Sequence, residues 1–141
     1  MRRLLFLLVA VSLNLAVAAP ASALTPKNGT YKGKGNMSCP VTPGKPEQKT
    51  CSIAVTLKVA KGKISKVDFK RSDGFKFGAG VEGPVKVSSK GKFSSNYKTV
   101  STRYILKGKF SSSAKLSASY RAIGALSTED ISKVTFTAKR K

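Results

Sequence analysis

The chain has 141 residues, with 27 Lys and Arg against 6 Asp and Glu and no His, giving a formal net charge of +21. Without a histidine and with so few carboxylates, it lacks the usual general bases and metal ligands. Enzymatic activity, a cofactor and a tightly bound metal are therefore not expected. A field of this sign repels cations and draws polyanions.

Arg2 and Arg3 precede an apolar run over residues 4–18, followed by Pro20 and the small residues Ala21, Ser22 and Ala23. This pattern predicts a secretory signal peptide over residues 1–23, cleaved after Ala23, and a secreted, extracellular product. The run falls short of the roughly 20 apolar residues that a spanning helix needs, and no later segment supplies one. Removing the leader leaves 118 residues, read as a single β domain over 24–141. Two of the 27 cations and none of the acids go with it, so the mature net charge is +19. That exceeds the ~2 to 8 that solubility asks of a small domain. Four of the remaining cations are Arg (Arg71, Arg103, Arg121, Arg140) and the rest are Lys, which binds anions as a hydrated point charge.

After a lead-in over residues 24–28, the first strand is expected over 30–37, with Tyr31 as its core anchor and Gly33 and Gly35 marking a bend or bulge. Cys39 and Cys51, the only cysteines, predict a disulfide. It would close a loop stiffened by Pro40, Pro43 and Pro46, and a loop of that size is worth about 3 kcal/mol in the chain-entropy model.

Ile53, Val55, Leu57 and Val59 then alternate with Ala54, Thr56 and Lys58, and Val67 and Phe69 follow a turn at Ala60, Lys61 and Gly62. A three-residue loop pairs Val55 with Val67 and Ile53 with Phe69, and leaves Ile64 outside unless a bulge intervenes. In residues 71–84 an Asp73-Gly74 turn should lead into a strand whose Phe75 and Phe77 rings enter the core, in preference to a ligand-contacting flap. A third hairpin, with Gly91 in the third loop position, sets Val87 against Phe93.

The most regular stretch runs from Arg103 to Arg121. Tyr104, Leu106, Gly108 and Phe110 alternate with Arg103, Ile105, Lys107 and Lys109, while Leu116, Ala118 and Tyr120 alternate with Lys115, Ser117, Ser119 and Arg121. Pairing Phe110 with Ala114 would oppose Lys109 to Lys115 and Arg103 to Arg121, and like charges directly opposite destabilise a sheet. Pairing Phe110 with Leu116 avoids both and leaves residues 111–115 as the loop. Ser127, Thr128, Glu129 and Asp130 could cap a helical turn before a last strand of Val134, Phe136 and Ala138. Lys-Gly-Lys begins at residues 32, 61, 90 and 107, but only the second and third copies fall at turns, so no true repeat is inferred.

The expected fold is all-β: about eight antiparallel strands in a meander, forming an up-and-down barrel or a two-sheet sandwich. Gly29-Thr30-Tyr31-Lys32-Gly33, the Gly108-Lys109-Phe110 strand and the closing Thr137-Ala138-Lys139-Arg140 resemble a group of small secreted actinobacterial β domains. Phe136 stands where many of those carry Trp, and the Cys that often precedes that strand is missing. The resemblance implies the fold and brings no site with it.

Three functions remain. The first is binding of an anionic extracellular polymer, cell wall or acidic polysaccharide, by the outward cations Arg103, Lys107, Lys109, Lys115 and Arg121. Nucleic acid ranks lower and would be held non-specifically, because stacking platforms interleave rings with cations and the rings here share parity with the aliphatic face. The second is a carrier of a small apolar ligand inside a barrel, and the third a structural extracellular protein with no specific ligand. A glycosidase pair built from Asp68 with Glu82 or Glu129 is the remote catalytic alternative.

Overall fold

The computed structural model describes residues 22–38, 50–124 and 130–141. The apolar part of the leader, Cys39 with most of its loop, and residues 127–129 of the expected helical turn lie outside the described residues. Among the described residues nine strands follow one another: β1 (Gly29–Met37), β2 (Cys51–Ala60), β3 (Lys63–Arg71), β4 (Lys76–Gly78), β5 (Val85–Lys86), β6 (Lys92–Lys98), β7 (Thr102–Ser112), β8 (Lys115–Gly124) and β9 (Asp130–Arg140). Asp130 thus opens a strand.

All nine belong to one antiparallel sheet, in the order β4-β3-β2-β1-β9-β8-β7-β6, with β5 also on β3. The sheet curls into a half-barrel, so the sandwich alternative is not what forms. β4 and β5 lie along the same side of β3, as two pieces of a strand line interrupted by residues 79–84. Val87 then makes a single bridge to Phe93 of β6, so the two sides of the curl meet through this short segment.

The β7–β8 register is the one that charge avoidance selects: Phe110 faces Leu116, Leu106 faces Tyr120, Lys107 faces Ser119 and Lys109 faces Ser117. The loop is shorter than expected, because an irregularity after Phe110 lets Ser112 pair with Lys115. The β2–β3 register differs from expectation. The turn holds two residues, Lys61 at φ 50° and Gly62 at φ 68°, and Ala60 faces Lys63. Two successive positive φ values give the tight primed turn whose twist suits a hairpin. A bulge past Val59 and Ile64 then shifts the register, so Val55 faces Phe69 and Leu57 faces Val67, and Ile64 is fully buried.

Gly33 and Gly35 produce no bulge, as β1 keeps register with both neighbours over its paired length. They face the inside of the curl, where a Cβ on Gly33 would lie 1.8 Å from the Thr137 carbonyl oxygen and one on Gly35 2.2 Å from that of Thr135. β1 sits in the middle of the sheet, and these two positions let β9 fold tightly over it. Tyr31, on the same face, is fully buried, and its hydroxyl donates within reach of the Lys27 and Ser113 carbonyls. Its ring meets Phe110 edge-on at 5.6 Å, and Phe69 contacts Tyr120 at 5.2 Å and Phe136 at 5.5 Å.

Leu24, the first residue after the expected cleavage point, packs against this core and donates its backbone N–H to the Ser89 carbonyl at 2.8 Å, while Ser22 and Ala23 are exposed. Gly33→Ala should destabilise the domain by about 3 kcal/mol or more, since only backbone could move to admit the methyl. A urea midpoint unchanged from wild type would show that β9 does not press on β1 as described.

Candidate anion-binding surface

Alternation along each strand sends the apolar side chains inward and the lysines out. The result across strands is unusual. Eight directly opposed positions pair two cations: Lys32–Lys139, Lys58–Lys66, Lys63–Lys86, Lys70–Lys76, Lys92–Lys109, Lys98–Arg103, Lys115–Lys139 and Arg121–Lys133. No described pairing sets a cation directly against an acid. Each exposed like-charge pair costs a few tenths to about 1 kcal/mol, so the register that spares two clashes between β7 and β8 accepts others with the outer neighbours.

The five cations expected to bind anions all lie on the outer side of β7 and β8 but do not form one cluster. Lys107 and Lys109 share a shallow depression of about 870 Å³ with Lys86 and Lys92. Its floor is Val87, Phe93 and Gly108, and no carboxylate lines it. Lys115 stands past the β7–β8 turn, in a row with Lys139 and Lys32 on adjacent strands. Arg103 is at the far end of β7, with its Nε donating to the Asn96 side chain at 2.9 Å. Arg121 is half-buried, opposite Ile105 on one side and Lys133 on the other.

The groove therefore takes two of the expected five and adds Lys86 and Lys92. Lys92 was visible in the sequence as the end of a Lys-Gly-Lys copy. Lys86 was not, because its place depends on the interrupted strand line that brings β5 beside β3 and Val87 to Phe93.

The described acids sit elsewhere. Asp68 pairs with Lys66 at 3.0 Å on β3, which gives it a structural partner. Asp73 accepts from the Arg71 guanidinium and from the Phe75 backbone N–H at 3.1 Å. This turn departs from expectation. Phe75 does not enter the core but remains 57% exposed beneath the Arg71 guanidinium, whose centre is 5.2 Å from the ring. Phe77 is half-buried and reaches Phe69 at 5.0 Å.

Residues 79–84 behave as neither free flap nor strand. Ala79 is buried, and Gly80, at φ 53°, lies so close to the Tyr104 ring that a Cβ would sit 2.7 Å from it. Tyr104 stacks between Tyr97 and Tyr120 at 6.1 and 6.5 Å. Burial, with Tyr104 beside it, pushes the Tyr120 phenol up to about 12, so it stays neutral and adds no anionic charge.

Compared with family models, curated proteins and solved structures, the chain matches none.

The hydrogen bond from Arg71, and that from the Phe75 N–H, hold the Asp73 carboxyl down at about 2 from an ordinary 3.8. A folded-state value below the unfolded one means that the turn is fully supported above about pH 4 and loses that support as the pH falls toward 2. Protection of the Phe75 amide, taken relative to its intrinsic exchange rate at each pH, should fall over that window and stay constant in Asp73→Asn, which cannot titrate. The same acid-dependent loss of protection in both proteins would remove Asp73 as its cause.

Proposed function

We propose that this chain is a secreted, non-catalytic β domain that holds an anionic extracellular polymer, a cell-wall or acidic polysaccharide component, against its outer face. One observation carries the reading: a sheet that sets cation opposite cation at eight described positions, with three of those lysines and Lys107 ringing a groove free of carboxylates. A surface charged only for solubility would intersperse both signs. Here Asp68 and Asp73 are tied to Lys66 and Arg71 of β3, and the other described acids, the exposed Glu82 of residues 79–84 and Asp130 at the start of β9, do not line the groove.

Several features support export and placement outside the cell. The sequence carries a leader pattern, and among the described residues Leu24 is the first that packs against the core. Under the same reading Cys39 and Cys51 form a disulfide at the start of β2, and the chain belongs with the small secreted β domains it resembles. The groove holds lysines without exposed stacking rings, which favours a wall or polysaccharide polymer over nucleic acid.

Cosedimentation of the mature protein with purified cell wall, acidic polysaccharide and duplex DNA, beside a basic control domain of equal charge, tests the proposal. At about 150 mM salt, generic attraction is largely screened. Retention on one wall or polysaccharide polymer should then exceed the control at least tenfold. Lys107→Glu with Lys109→Glu should abolish it while moving the thermal midpoint by only a few degrees. Retention that falls in step with the control, or that survives the double charge reversal, would overturn the assignment.

A further inference from the structure

Four Lys-Gly-Lys copies punctuate the sequence, and three of them converge in space. Lys107-Gly108-Lys109 of β7 and Lys92 of the third copy line the groove just described. A neighbouring depression of about 320 Å³ is lined by Lys61, Gly62 and Lys63 of the second, together with Leu24, Pro26 and Lys86. The two depressions share Lys86, Val87 and Ser88 as a common wall. Two of the opposed cation pairs belong to this path, Lys63 with Lys86 and Lys92 with Lys109. No carboxylate lines either depression.

We infer that these two depressions form one continuous track for a linear phosphate-bearing polymer, running from Lys61 and Lys63 past Lys86 and Lys92 to Lys107 and Lys109. The inference rests on the polymer-binding reading above and extends it to the length and chemistry of the ligand.

Three physical arguments carry it. The first is spacing. Strands lie ~4.8 Å apart, so lysines opposed on neighbouring strands present charge at intervals suited to a chain with a charge at every repeat. A single small anion could meet only one such pair. The second is the kind of cation. Every charged residue lining the track is a lysine, a point charge with rotatable donors that can meet a tetrahedral phosphate from any side, and no arginine fork, which would read a planar group with two parallel hydrogen bonds, lines it. The third is strain. Lys61 holds φ 50° at the first position of a primed turn, where Asn, Asp or Gly is favoured. A cation is kept there against local preference, and strained backbone of that kind gathers at functional sites.

Binding of inorganic polyphosphate of graded length, from tripolyphosphate to chains of tens of phosphates, measured by calorimetry over a salt series, tests the track. Oligogalacturonates of matched length supply the carboxylate arm. Wild-type affinity should climb steeply with chain length and level off once the chain spans the track. Long polyphosphate should bind at least tenfold more tightly than the matched uronate. Lys61→Gln with Lys63→Gln should weaken long chains about tenfold or more and leave tripolyphosphate unchanged. The double change should also reduce the slope of log affinity against log salt by about 1.4, the loss of two contacts with a single-stranded polyanion.

A double variant that binds long chains like wild type, while Lys107→Glu with Lys109→Glu loses them, would end the track at the groove and leave the polymer reading standing. Equal or tighter binding of the uronate would overturn the phosphate assignment. Failure of wild type to bind either polymer at any length would overturn both the track and the reading beneath it.

Discussion

A sheet that opposes lysine to lysine across its outer face can hold together only through its inner one. Among the described residues twenty apolar ones are buried there in one contiguous cluster, and each large side chain contributes about 1.5–3 kcal/mol on burial. The opposed cations outside cost far less apiece. The inner face therefore decides the register, and the outer face accepts the charge pattern that follows. Close packing on that inner face depends in turn on β1, where Gly33 and Gly35 let the neighbouring backbone approach to a distance no side chain would allow.

The same division implies that the charged surface can be varied without unfolding the domain. The lysines of the track and of the β8–β9–β1 row stand outside, and the rings that tie strands together stand inside: Tyr31 to Phe110, Phe110 to Phe93, Phe69 to Tyr120 and Phe136. The lead-in from Leu24 and the β5–β6 turn close one end of the curl through Leu24, which bonds to Ser89. Around the edge of that closed end lie Lys61, Lys63 and Lys86. The proposed anion track and structural closure thus use the same segment of chain.

Much of the fold was legible because strands alternate with period two. Tyr31, Leu106, Phe110, Leu116 and Phe136 were identifiable as core from parity alone, and the β7–β8 register followed once the two avoidable like-charge contacts were counted. What stayed hidden depends on single-residue events. The two-residue turn at Lys61-Gly62 and the bulge beyond it reverse the side to which Ile64 points, and composition cannot weigh a bulge against a longer loop. Phe75 looked like core by spacing, but Asp73 draws the Phe75 N–H and the Arg71 guanidinium into a local turn and leaves the ring outside. For the site, residues on one hairpin could be placed together, yet Lys86 beside Lys63 and Lys92 beside Lys109 required the order of strands around the whole curl.

The central claim is that cation placement, and not total charge, governs what this surface holds. Backbone amide chemical shifts, followed as long polyphosphate is added at about 150 mM salt, test it most directly. The account predicts saturable shifts at Lys61, Lys63, Lys86, Lys92, Lys107 and Lys109, with Lys98, Lys133 and Lys70 unmoved although they too stand opposite cations. Shifts spread evenly over all exposed lysines, growing without saturation, would contradict it and leave only a diffuse positive field.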